Sequence, residues 1–73
     1  LSKNRDLFFA IYEKLPYDQL IWEFGTYVYP RWIHVSYRSE EENRNQTLHA
    51  FKEVKTNKTQ YLPFRKDRVT PQT

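Results

Sequence analysis

His34 stands in the run PRWIHVSYR, residues 30–38, between Ile33 and Val35, in a stretch whose other residues read as a sheet strand. An imidazole in that position is either a structural group, hydrogen-bonded inside a core, or one arm of a metal site whose other arms lie elsewhere. A lone strand histidine is more often the former. To ligate a metal it must be neutral, face a cleft and be joined by two or three further ligands. Strand alternation gives His34 a common face with Trp32 and Ser36. If the neighbouring strand turns its polar face the same way, Gln19 and Glu23 come within reach across the sheet, because directly opposite side chains lie about 5 Å apart. Imidazole, carboxylate and amide would then converge. Taken alone, Glu23 reads as a surface or salt-bridged carboxylate, with Arg31 or Arg38 as its partner. His49, with lysines close by, reads as exposed and inert. No serine has a histidine and an acid at a recognisable spacing, so nucleophilic catalysis has no positive support.

These residues need elements to hold them. Leu7, Phe8, Ile11 and Leu15 recur at helical spacing, which predicts a helix over residues 4–15 that Ser2 or Asn4 can cap and Pro16 must end. YDQLIWEFG alternates, with Leu20, Trp22 and Phe24 on one side and Gln19, Ile21 and Glu23 on the other; it predicts a strand ending at Gly25. GTYVYPR makes a loop, WIHVSYR a second strand, and the polar SEEENRNQ, residues 39–46, a solvated turn. In TLHAFKEVKTNKTQYLPF the spacing of Leu48, Phe51 and Val54 is helical, but the threonines, Tyr61 and the KTNK interruption favour two short strands joined by a turn. The final RKDRVTPQT has no evident apolar face and is expected to be flexible or to lie along a partner.

The chain has 73 residues, no cysteine and no methionine, one glycine and 18% aromatic residues. A single domain of this size buries only about 60% of the surface its unfolded chain exposes, so the core must be thin and built on rings. Without cysteine, disulfides, thiolate metal sites and cysteine nucleophiles are excluded. A lone glycine argues against a phosphate-cradling loop. Small domains without staples lean on a metal, a partner or more polypeptide. No apolar run is long enough to span a membrane, and no segment resembles a signal peptide. The chain begins at Leu1, not Met, which suggests a piece of something longer. The net charge is +3, with the excess towards the end of the chain, where Lys52, Lys55, Lys58, Arg65, Lys66 and Arg68 outnumber Glu53 and Asp67. Such a tail attracts polyanions when it is not simply a solvated surface. The two sequons, at Asn45 and Asn57, read as chance matches.

The succession LPYDQLIWEFG, PRWIHVSYR and ENRNQTL resembles the C-terminal half of the zinc D-alanyl-D-alanine carboxypeptidase family, in particular its phage and bacteroidete members related to peptidoglycan endopeptidases. The resemblance covers nearly residues 7–50, and WIHVS after a DQLIWE strand is its most specific part. It implies an α+β fold in which a helix precedes a small antiparallel sheet, the C-terminal half of a hedgehog/DD-peptidase-type domain. Residues 1–64 would form this half-domain and 65–73 a flexible basic tail. It also implies that His34 ligates Zn2+. Family members carry the other two ligands, a histidine and an aspartate, in an upstream SxHxxGxAxD motif that this sequence lacks. The expected partner is therefore the N-terminal half of the peptidase domain, as another chain or as further polypeptide, and the expected substrate is a peptidoglycan stem peptide. Zinc in such a site polarises the scissile carbonyl and acidifies bound water while a carboxylate handles the proton.

Several relatives place an acidic base three residues before the final histidine. Here that position is Arg31, which cannot act as a base, so Glu23 becomes the candidate. Arg31 or Arg38 is left to grip the terminal carboxylate of a D-alanyl peptide, and Gln19 and Ser36 to orient their neighbours. A bacterial cell envelope or phage setting follows from the same resemblance. The alternative is a non-catalytic virion or cell-wall binding module that reuses the fold, with His34 hydrogen-bonded in a metal-free sheet. A weaker third reading is a basic nucleic-acid binder in which Tyr and Trp stack on bases.

Overall fold

The computed structural model describes residues 2–69. A helix, α1 (Ser2–Lys14), is followed by β1 (Gln19–Glu23), β2 (Trp32–Ser36), β3 (Gln46–Lys52) and β4 (Thr59–Pro63), and a short 3-10 turn spans Lys66–Arg68. The strands form one sheet in the order β2-β1-β3-β4. This is the α+β layout the sequence predicts, with one correction. The sheet is mixed: β1 runs antiparallel to β2 but parallel to β3, and β3 and β4 pair antiparallel. The cause is the connection after β2, which passes beneath the start of β1 before β3 begins on its far side.

Asp18 holds that connection. It is buried, and its carboxylate accepts from the Arg44 backbone N–H at 3.0 Å, from Nε at 3.0 Å and from Nη2 at 2.8 Å. The Asp18 N–H donates to Ser36 O, and its carbonyl accepts from the Gln46 N–H, so one residue binds the end of β2 and the start of β3. The Tyr17 hydroxyl adds a hydrogen bond with Thr47 Oγ1. The stretch expected as a solvated turn is therefore anchored through Arg44, and its last residue, Gln46, opens β3.

α1 covers one face of the sheet. The core contains Phe8, Ile11, Tyr17, Leu20, Trp22 and Val69, with Phe9, Tyr12, Ile33 and Phe64 packed against it. Phe8 meets Trp22 edge-on at 5.1 Å between ring centroids and lies 4.9 Å from Phe64. Rings do the work that aliphatic side chains do in larger cores, each contributing roughly 1.5–3 kcal/mol when fully buried. Two expectations fail on the helix. Leu7 and Leu15 are 53% and 57% exposed, because the buried stripe follows Phe8, Phe9, Ile11 and Tyr12. Asn4 does not cap the helix, which already includes Ser2; its side-chain amide donates to Arg31 O at 2.9 Å.

β1 stops at Glu23 because the next two residues turn left-handed, Phe24 at φ 59° and Gly25 at φ 78°. A side chain at Gly25 would crowd the Tyr29 carbonyl and the Arg31 backbone nitrogen, the latter only 2.7 Å from a Cβ. The segment 47–64 forms the expected hairpin. After it, Val69 is buried in the core and Lys66 pairs with Glu13 at 3.5 Å, so the start of the tail does have a surface to bury. Residues 70–73 of the predicted tail lie outside the described residues.

Candidate functional site

The sheet face away from α1 carries the residues singled out for chemistry. Register places them in three rows across the strands. His34, Ile21, Leu48 and Pro63 make one row; Trp32, Glu23, Ala50 and Tyr61 make the next; Ser36, Gln19 and Gln46 make the third. Gln19, Ile21, Glu23, His34, Gln46, Leu48 and Tyr61 line one shallow depression on this face. Ile21 in its floor is only 7% exposed. Tyr61, which also lines it, is 54% exposed, and Trp32, further along the same face, is 61% exposed.

His34 projects from the edge strand β2 and is exposed. Among the described residues its imidazole takes part in no side-chain hydrogen bond. Gln19 and Glu23 do share its face, but neither is directly opposite, since that place belongs to Ile21. They are its diagonal neighbours, about 7–8 Å away along the sheet, a span that a glutamate or glutamine side chain can cross. Ser36 Oγ accepts from the Gln19 backbone N–H at 3.2 Å, and the Gln19 side-chain amide donates to Gln46 Oε1 at 2.8 Å. Both therefore steady the lower end of the site and leave the imidazole free.

The two candidate arginines separate. Arg31 precedes β2 at the upper end of the sheet, its backbone N–H donating to Glu23 O and its side chain exposed. Arg38 follows β2 at the lower end, where it pairs with Glu42 at 3.6 Å. The expected ion pair of Glu23 with either arginine does not occur among the described residues.

His49 departs furthest from expectation. It lies on the helix-covered face opposite Trp22, not in solvent, with ring centroids of Trp22, Phe51 and Tyr27 at 6.2, 6.2 and 5.2 Å. Burial, with a smaller contribution from Arg68, pushes its pKa below the ordinary 6.5. It is a half-buried ring packed among other aromatics. The sequence signal for this was present: in a strand, His49 alternates with Leu48 and Ala50 and falls on the same side as Phe51. Asp18 is the polar residue that sequence reasoning missed. Hydrogen bonds from the Arg44 side chain and backbone lower its pKa from 3.8 to about 2.

A metal centre needs three or more protein donors. Among the described residues no group of three His, Cys, Asp or Glu side chains is placed to hold an ion. His34 offers one nitrogen, with Glu23 on the diagonal, so this chain alone does not fit a zinc ion. No helix is long and apolar enough to cross a membrane. No family model, curated protein or solved structure matches the chain.

Proposed function

We propose that this chain is the C-terminal half of a zinc-dependent peptidoglycan peptidase, a D-Ala-D-Ala carboxypeptidase or endopeptidase of the hedgehog/DD-peptidase type. The observation that carries the reading is the position of His34: an exposed imidazole, free of hydrogen bonds among the described residues, on a sheet face that none of the described elements covers and that also presents Glu23. A structural histidine would be expected to have a partner.

In this reading the chain supplies one ligand. The others come from the N-terminal half of the domain, laid over the open face. Exposed Trp32 and Tyr61 then become packing surface for that half, which is the use an aromatic rim on a sheet most often has. Glu23 accepts a proton and returns it to the leaving amine. Ser36 and Gln19 keep β1 and β2 in register beneath it, and Arg31 takes the carboxylate end of the stem peptide. Arg38, tied to Glu42 at the other end of β2, is the weaker candidate for that task. The setting is a bacterial envelope or a phage-encoded enzyme acting on it.

The test is elemental analysis of zinc in the intact native assembly and in its His34→Ala form. The reading expects one equivalent of zinc per site to be lost with the imidazole. Equal zinc in both removes His34 from the ligands. In the same assembly Glu23→Gln keeps its zinc and loses about 10²–10⁴-fold in peptide cleavage, the usual worth of a positioned proton carrier; full activity assigns the base elsewhere.

A further inference from the structure

The two ends of the sheet carry opposite charge. β1 and β3 run parallel and end at the same level, so the β1–β2 loop, residues 24–31, and the β3–β4 turn, residues 53–58, share the upper end. The start of α1 joins them, since Asn4 and Arg5 donate to the carbonyls of Arg31 and Val28. This end holds Lys3, Arg5, Arg31, Lys52, Lys55 and Lys58 against Asp6, Glu23 and Glu53, a net +3. The lower end, with the close of α1 and residues 37–45, holds Lys14, Arg38 and Arg44 against Glu13, Asp18, Glu40, Glu41 and Glu42, a net −2. The remaining +2 lies in residues 65–68, beside α1. We infer that the β3–β4 turn docks the basic end of the molecule on an anionic phospholipid bilayer.

The turn is shaped for a boundary between charge and hydrocarbon. Val54 is 97% exposed, the barest large apolar side chain among the described residues. Lys52, Lys55 and Lys58 flank it, all exposed. Their alkyl stems lie along apolar surface while the ammonium groups reach for phosphate. Glu53, the acid of the turn, is half-buried, and its carboxylate accepts from Thr56 Oγ1 at 3.2 Å. In the neighbouring loop Tyr27 is half-exposed, and its ring meets His49 of β3 edge-on at 5.2 Å between centroids. A tyrosine at that level suits the headgroup layer.

A bilayer offers both things the turn lacks, phosphates for the lysines and hydrocarbon beneath them for the valine. Nucleic acid offers only the first. No aromatic residue stands between Lys52 and Gln60, so the turn has no platform on which the bases of a single strand would stack. The turn is also preformed. Its Glu53 N–H donates to Lys58 O at 2.9 Å and its Asn57 N–H to Glu53 O at 2.8 Å, with Asn57 left-handed at φ 58°. Val54 is therefore held out by a closed turn, and docking costs that turn little conformational entropy. The uneven charge of the two ends swings the upper one towards a negative surface before contact. No residue of the turn belongs to the peptidase site, so the inference stands apart from that reading.

The experiment is flotation of the full 73-residue chain with phosphatidylcholine vesicles and with vesicles that also contain phosphatidylglycerol. The expected result is binding to the anionic vesicles alone, weakening as salt is raised. The K55Q/K58Q variant binds about 20-fold more weakly, roughly fivefold for each lysine. K14Q/R65Q, of the same net charge but altered away from the turn, keeps its binding. V54S, with every lysine in place, binds about fivefold more weakly. All five substituted side chains are exposed, so the variants fold as the parent chain does. The inference is overturned if phosphatidylcholine alone binds as well, if both double variants weaken alike, or if V54S binds like the parent chain. It is equally overturned if the chain binds an oligothymidylate and neither kind of vesicle, or only associates with copies of itself. Flotation involves neither metal nor His34, so its failure leaves the zinc reading standing, and retention of zinc by His34→Ala leaves this inference standing.

Discussion

The two histidines sit on opposite faces of the same sheet, and the contrast between them separates what folds this protein from what it presents. His49 lies on the helix side of the sheet among Trp22, Tyr27 and Phe51, where desolvation lowers its pKa. His34 faces outward beside Ile21, with Glu23 and Gln19 on its diagonals. One imidazole is half-buried among aromatic rings. The other stands on a surface that has polar chemistry at its centre and bare rings at its edge. A small domain cannot leave much apolar area uncovered without reason, so the open face reads as a site of assembly as well as of chemistry.

The strongest way to break this contrast is to exchange the fates of the two tryptophans. Trp22 is fully buried and Trp32 is 61% exposed. Trp22→Ala should cost about 3–5 kcal/mol, enough to unfold a domain of this size, whereas Trp32→Ala should stay within about 0.5 kcal/mol. Chemical denaturation of both variants checks this, and similar losses would mean that the open face also carries the fold. A smaller effect is expected at the loop joining the two faces. Gly25→Ala forces a side chain into a left-handed residue against the Arg31 backbone and should cost about 1–3 kcal/mol, read from the same denaturation midpoints.

The acid limb of stability sharpens the comparison between the lower and upper ends of the sheet. Asp18 has a folded pKa of about 2 against an ordinary 3.8. Its stabilisation is complete above the ordinary value and is lost as pH falls towards the folded value. Stability should therefore drop between about pH 4 and pH 2, and Asp18→Asn should lower stability at neutral pH while flattening that slope. The smallest effect belongs to His49. With its folded pKa below 6.5, the unfolded chain takes up the proton first, so stability is full above 6.5 and declines on acidification below it. His49→Phe should remove that shallow component from a pH series of melting temperatures.

Much of this division was legible in the sequence. Period-two alternation grouped Gln19 with Glu23 on one strand and His34 with Ser36 on the other; that the two groups share a face follows from the register of β1 and β2. The α+β order and the final hairpin were equally readable from turn residues and strand propensity. What could not be read was long-range. Whether His34 meets Glu23 directly or on the diagonal depends on register, which the loop from Phe24 to Arg31 sets and no local pattern encodes. The parallel pairing of β1 with β3 depends on the hook between Asp18 and Arg44, residues 26 apart, each unremarkable in its own stretch. The lysines near His49 suggest an exposed residue, whereas its alternation with Leu48 and Ala50 sets it on the same side as Phe51. Val69 was missed because a single apolar residue in a basic run gives no periodicity.

The most direct measurement of the difference between the faces is the rate at which each imidazole reacts with diethyl pyrocarbonate in the isolated chain, at about pH 8 where an ordinary imidazole is neutral, followed residue by residue by mass spectrometry. His34 should be modified several times faster than His49, and the native assembly should protect it. Equal rates, or a faster His49, would mean that His34 is not the bare group on which the proposed site is built.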